Sequence, residues 1–248
     1  MTRTILDKTA FEWDFTVKSF DVDMFNRLKV SSLMKYQQEV GGMHLHEFGT
    51  TAEAMRKEQS LGFIFTKMNI KIDGLPKAQD KVTLRTWCSG LKGVRFTRNY
   101  ILLDANGNIL TQAKVEVTTL DLESRKIVRP SQINGFSDFL YNDDLENGAD
   151  YPVKLTAPED ISEAYSRPVR FSDMDYNGHV NNTVYADMAL DCLDPKVLSA
   201  PIRGFQINFI SEVIPNETVS VGVASQDGDY VFTGNTPDRQ CFVARLTI

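Results

Sequence analysis

The feature that most constrains this chain is that it repeats itself. Moving the sequence along by 152 positions lays Asp21-Val-Asp-Met-Phe-Asn-Arg-Leu28 on Asp173-Met-Asp-Tyr-Asn-Gly-His-Val180. A shift of 139 lays Met68-Asn-Ile-Lys-Ile-Asp-Gly-Leu-Pro76 on Ile207-Asn-Phe-Ile-Ser-Glu-Val-Ile-Pro215. Each match is weak, but both fall at the same place in a recurring order of strand, helix and strands. In the first half, Phe11–Lys18 alternates as a strand, Val30–Val40 and Ala52–Gln59 have helical spacing, and four strand-like runs follow at Phe63–Ile72, Lys81–Trp87, Arg95–Leu103 and Ile109–Leu120. Asp104-Ala-Asn-Gly107 is a hairpin signal between the last two. The second half runs through a strand start at Pro168–Phe171, a helix over Val180–Leu193 and further strands in Ile202–Ile248. Residues 130–165, rich in Asp, Asn, Gly and Pro, read as a linker with one short helix. The expected architecture is α+β: two tandem units, 1–155 (including the linker from about 130) and 156–248, each an antiparallel sheet on one helix.

The 248 residues alone leave one large domain or two small ones open; the repeat favours two. No apolar run approaches the roughly 18 residues of a membrane span. The opening segment Met1–Lys8 has no apolar signal core, and a cytoplasmic protein is expected. Cys88, Cys192 and Cys241 are scattered without C-x-x-C spacing, and with only three histidines neither a metal nor another cofactor is implied. The net charge of −6 is uneven: residues 1–155 sum to +1 and residues 156–248 to −7. An acidic second half argues against nucleic acid, and any acidic partner should dock on the first.

The two copies differ where chemistry would reside. The first keeps acids, Asp23 and Asp73, opposite Asp175 and Glu212, but has Phe25 and Arg27 where the second has Asn177 and His179. The segment Asp175-Tyr-Asn-Gly-His-Val-Asn-Asn-Thr-Val-Tyr185 puts an acid, an amide and a histidine on a turn into a helix. Asn181 or Asn182 would cap that helix, whose first N–H groups and dipole favour a developing oxyanion. Histidine supplies a proton acceptor or donor near neutral pH. On the residues alone, a satisfied cap cluster with a surface histidine is an equal reading.

The same segment resembles the acyl-acyl carrier protein thioesterases of fatty-acid synthesis, whose second unit carries D-x-N-x-H-V-N-N-x-x-Y; here these are Asp175, Asn177, His179, Val180, Asn181, Asn182 and Tyr185. The family's further catalytic Glu corresponds to Glu212, 33 residues after His179. Thr66–Ile70, Val82–Trp87 and Gly107–Ala113 extend the likeness into the first half. Plant members have a Cys after that Glu, where this chain has Val213, and they carry a plastid-targeting extension not seen here, so the bacterial type is the better match.

The resemblance implies a double hotdog fold and hydrolysis of acyl-acyl carrier protein thioesters to free fatty acid and carrier protein. It implies Asp175, Asn177, His179 and Glu212 as catalytic residues and an acyl tunnel under Val30–Phe48, lined by Val30, Met34, Phe65 and Trp87. Lys67, Lys71, Lys92, Arg95 and Arg98 are the candidate cations for docking the acidic carrier. An acyl-CoA thioesterase, a hotdog 3-hydroxyacyl dehydratase and a non-catalytic acyl-binding protein are the alternatives, and monomer and homodimer are both compatible. No G-x-S-x-G elbow is present, Ser32-Leu-Met-Lys35 lacks its companion motifs, and His44 and His46 sit two apart on a helix, too poorly aligned for a metal.

Overall fold

The structure is a computed structural model, and it describes residues 3–6, 9–47, 49–130 and 141–248. Strands β1 (Arg3–Leu6), β2 (Ala10–Thr16), β3 (Leu61–Ile72), β4 (Lys81–Lys92), β5 (Arg95–Asp104), β6 (Ile109–Asp121) and β7 (Ile127–Val128) come from the first half, with helices α1 (Val30–Glu47) and α2 (Ala52–Gln59). The second half supplies β8 (Ser162–Pro168), α3 (Val184–Leu190), α4 (Pro195–Leu198), β9 (Gly204–Phe209), β10 (Thr218–Gln226), β11 (Asp229–Asn235) and β12 (Gln240–Thr247). They join in one antiparallel sheet ordered β1-β2-β4-β5-β6-β3-β9-β12-β11-β10-β8, with β7 beside β6.

The halves meet where β3 pairs with β9, and Met68 lies directly opposite Ile207. These are the residues that the shift of 139 makes equivalent. Equivalent residues facing each other across a ladder is what a two-fold relation between two copies requires. Met68, Ile70, Phe205 and Ile207 are all buried there, so the seam between the copies is apolar and continuous with the core. Such burial stabilises by about 1.5–3 kcal/mol per large side chain.

In the first half, α1 lays Leu33, Met34, Val40 and Leu45 into the sheet against Phe11, Phe15, Leu84, Tyr100 and Leu102. The outer face of this sheet is covered too. Residues 142–153 strap across it: Asn142 N–H donates to the Cys88 carbonyl at 2.8 Å, Asn147 Nδ2 to that of Ala113 at 2.9 Å, and Gln206 Nε2 to that of Val153 at 2.8 Å.

Most strands fall where the alternation places them, and α2 has the expected bounds. Three expectations change. The strand at Pro168 ends there rather than begins. Helix α1 runs on to Glu47, whereas its counterpart α3 has only seven residues. The amide oxygen of Asn181 accepts from the N–H and hydroxyl of Thr183 at 3.0 and 2.8 Å, holding the chain in a turn before α3. Asp194 and Pro195 then start α4. The short helix expected in the linker and Phe48 are not placed by the structure: residues 131–140 and 48 lie outside the described set.

Candidate active site

The turn that carries the histidine is built twice with one backbone. In both copies a short 3-10 turn (Ser19–Asp21, Phe171–Asp173) leads into a bridge closing the loop, Val22 with Leu28 and Met174 with Val180. The N–H of Asp23 bonds the carbonyl of Arg27 at 2.7 Å, and that of Asp175 bonds His179 at 2.9 Å. The side chain of each acid accepts from the N–H two residues on, Phe25 at 2.9 Å and Asn177 at 2.8 Å. Each loop passes through one left-handed residue, Asn26 (φ 57°) and Gly178 (φ 86°), residue types that tolerate that region.

On this frame His179 stands between two carboxylates. Its Nδ1 lies 3.9 Å from Asp175 Oδ1 and its Nε2 lies 3.7 Å from Glu212 Oε1. Both separations are long for direct hydrogen bonds and suit a bridging water or a reacting group. Glu212 is 38% exposed and His179 28%, so the Glu212 side of the ring is the open one. Asp175 also accepts from the Asn177 amide, Nδ2 to Oδ2 at 3.3 Å, which ties amide, acid and imidazole into one cluster.

Glu212 comes from the loop after β9, and that loop is pinned by Arg239. The guanidinium donates to the Glu212 carbonyl and to Glu217 Oε2, each at 2.8 Å, while Glu217 in turn accepts from Ile214 N–H at 2.8 Å. At the base of the histidine loop, Asp173 pairs with Arg167 and accepts from Arg170 N–H at 2.7 Å.

Two cations arrive from the other half. Arg56 on α2 donates to Asn177 Oδ1 at 2.6 Å, and Arg125, in the turn after β6, lies 3.3 Å from Glu212 Oε2. Neither stands out in sequence, because the contacts span 121 and 87 positions and no local spacing encodes them. Arg239 and Glu217 escaped notice for the same reason.

A narrow cavity lies in the first half between α1 (Met34, Gln37), β3 (Phe65, Met68) and Phe209 of β9, and Asn182, three residues after His179, borders it from the second half. Met34 and Phe65 both line this cavity. Val30 is buried in the core beside it. Trp87 does not belong there: it packs on the outer sheet face with Ala10 and Ile101 under Leu145, because Val82, Leu84 and Cys88 take the inner face of β4.

Of the expected docking cations, Arg98 is corrected. Phe96, Tyr100 and Leu102 point inward from β5, and Arg98 shares their parity. It is 7% exposed, with its guanidinium 3.3 Å from both Thr86 Oγ1 and His44 Nδ1 under α1, out of reach of a partner protein. Lys71, Lys92 and Arg95 are exposed, and Lys67 and Arg95 flank Glu116 at 3.2 and 3.5 Å.

The oxyanion expectation also changes, since α3 begins only at Val184, five residues beyond His179, and is too short for a strong dipole. No cysteine is an activated thiol: burial, with Asp191, pushes Cys192 up to about 12, and burial raises Cys88 and Cys241 as well. Among the described residues no group of three or more His, Cys, Asp or Glu is placed to hold a metal, and no helix is long and apolar enough to cross a membrane.

Residues 8–132 match the acyl-ACP thioesterase N-terminal domain and residues 156–235 the acyl-ACP thioesterase C-terminal domain. The chain belongs to the acyl-ACP thioesterase family. A palmitoyl-acyl carrier protein thioesterase, chloroplastic, of Arabidopsis thaliana is 28% identical over 204 residues, covering 76% of this chain and 48% of that protein. The chain therefore spans about half the length of the curated relatives it matches. Among solved structures, an acyl-ACP thioesterase from Bacteroides thetaiotaomicron superposes with a TM-score of 0.88 at 18% identity, over 97% of this chain and 98% of that one. The 12:0-ACP thioesterase from Umbellularia californica gives 0.83 at 17%, over 98% of each. The fold is the double hotdog of these thioesterases.

Proposed function

We propose that the chain hydrolyses acyl-acyl carrier protein thioesters, releasing a fatty acid and the carrier's thiol, with Asp175, Asn177, His179 and Glu212 as its catalytic residues. The observation that carries this is the placement of His179 between Asp175 and Glu212, on segments whose neighbouring residues Asn182 and Phe209 border a mostly apolar cavity. A thioester is already activated, so hydrolysis needs mainly a held water, a base and a donor to the carbonyl oxygen. A water between His179 Nε2 and Glu212 loses a proton to this pair as its oxygen bonds the acyl carbon. The C–S bond then breaks, and the proton passes to the departing sulfur. The Asn177 amide donates to the carbonyl oxygen, and Asp175 orients both amide and ring.

The acyl chain enters past Asn182 and Phe209. The cavity's free volume of about 10 Å³ holds roughly one water, so Met34 and Met68 swing aside to admit it. Arg56 and Arg125, exposed at the mouth and supplied by the nearly neutral half, join Lys71 and Lys92 as the cations that meet an acidic carrier. The labour then divides between residues 1–155, which take chain and carrier, and 156–248, which hold the chemistry.

The test is thiol release from acyl thioesters of one chain length on carrier protein and on CoA. Preference for the carrier, weakening as salt rises, supports the reading. A preference for CoA moves the substrate class, and water loss from a 3-hydroxyacyl thioester without thiol release makes the protein a lyase. Glu212→Gln should lower kcat by about 10²-fold or more with the fold intact; full turnover in that variant would remove Glu212 from the site.

A further inference from the structure

The cavity that receives the acyl chain is not wholly apolar. Gln37 on α1 and Tyr100 on β5 both line it, and each is only 1% exposed. Neither the amide nitrogen nor the amide oxygen of Gln37 has a hydrogen-bond partner, and neither does the Tyr100 hydroxyl. Leaving buried polar groups of this kind unpaired costs about 1–3 kcal/mol each, an odd arrangement for a surface that meets only hydrocarbon. Burial raises the Tyr100 phenol far above its ordinary value, so it stays protonated and able to donate. The hydroxyl fits under α1 only because residue 41 is glycine: a Cβ there would come within 3.1 Å of the Tyr100 oxygen. The cavity's free volume of about 10 Å³ matches one oxygen-sized guest.

We propose that Gln37 and Tyr100 form a polar latch that selects acyl chains carrying an oxygen function, a hydroxyl or an oxo group, within the first few carbons of the thioester carbonyl. The proximity follows from the lining. Asn182 and Phe209, from the segments that carry His179 and Glu212, border the same cavity. An oxo oxygen accepts from the Gln37 amide and the Tyr100 hydroxyl. A hydroxyl accepts from Tyr100 and donates to the Gln37 amide oxygen, so the two guests use the latch differently. An unsubstituted chain displaces whatever water fills the site and leaves these atoms unpaired, and it is that loss which discriminates. The inference rests on the thioesterase reading for the way substrate enters, and adds to it the class of chain.

The experiment compares kcat/KM for 3-hydroxyacyl, 3-oxoacyl and unsubstituted acyl-carrier protein thioesters of one length, in the wild type, Tyr100→Phe and Gln37→Met. The wild type should favour at least one oxygenated chain by about tenfold or more, and each variant should bring that ratio close to one. Equal rates on all three chains in the wild type, or a ratio untouched by both substitutions, overturn the latch; the wild-type ratio stands even if a variant misfolds. Thermal shift with the free 3-hydroxy and unsubstituted fatty acids is read in parallel. If no thioester is hydrolysed but the hydroxy acid alone raises the melting temperature, the thioesterase reading fails and the latch survives. If neither acid does, both fall.

Discussion

The two copies of the histidine turn share a backbone and differ in one decisive side chain. In the first, Arg27 fills the position of His179. Its guanidinium pairs with Asp23 at 2.8 Å and continues past it to the carbonyls of Ala200 and Leu198 at 2.9 and 2.6 Å. The arginine has closed its site and tied it to the other half of the molecule. In the second copy the shorter imidazole leaves gaps of 3.9 and 3.7 Å to its acids, and the cations that come near, Arg56 and Arg125, grip Asn177 and Glu212 from outside. One frame therefore closes into a strut or stays open between two acids according to how far its side chain reaches.

The largest effect should come from making the copies alike. His179→Arg would give Asp175 the ion pair that Asp23 has, and His179→Ala would simply remove the proton carrier; each should lower kcat by about 10²–10⁴-fold while circular dichroism and melting stay near wild type. A His179→Arg protein that still releases thiol at the native rate would end the comparison. The converse change, Arg27→Ala, should cost about 1–3 kcal/mol of stability by stranding Asp23 and two carbonyls. Urea unfolding measures it, and kcat for the same substrate should move by less than about threefold, because Arg27 bonds Asp23, Ala200 and Leu198 and none of the four proposed catalytic residues.

A smaller effect tests the shared backbone itself. Gly178→Ala places a Cβ at φ 86° and should destabilise by about 1 kcal/mol. Asn26→Gly, at the equivalent left-handed residue, keeps that conformation and gives up only the bond from Ala78 N–H to Asn26 Oδ1 at 3.2 Å, so it should cost about 0.5 kcal/mol; a gain in stability from Gly178→Ala would show that the second loop does not need the left-handed step.

The smallest effect concerns the sheet surface of the first half. Burial alone would raise the Glu116 carboxyl, but Thr66, Lys67 and Arg95 outweigh it and hold it below its ordinary value. A depressed carboxylate stabilises above its unfolded pKa and loses that contribution as the pH falls through the folded one. Glu116→Gln should thus cost about 0.5–1 kcal/mol at pH 7, with the gap to wild type narrowing below about pH 4. The same change frees Lys67 and Arg95, so carrier-dependent KM should fall slightly at low salt if this face meets the carrier.

The histidine turn was legible because the bonds that set its backbone lie mostly within a few residues. Asp175 bonds the N–H of Asn177 two positions on, Gly178 supplies the left-handed step, and Asn181 arrests the chain before α3. The repeat was legible for the same reason, since each copy writes its own local bonds. Trp87 and Arg98 were misplaced because β4 and β5 are buried on both faces. The strap over 142–153 covers the outer side as α1 covers the inner, and two-sided burial erases the apolar-polar alternation that tells the faces apart.

By itself, then, the sequence determined two copies of a turn, their strands, and which copy kept a histidine, all consequences of hydrogen bonds and periodicities spanning a few residues. Only the tertiary structure decided that Met68 faces Ile207 across the seam, and that Glu212 lies 3.7 Å from His179. It also decided that Arg56 and Arg125 reach the second copy's site from the first half, and that Gln37 and Tyr100 share one cavity. These depend on which sheet face packs on which helix and in what register, choices made by the packing of the whole core rather than by any stretch of chain.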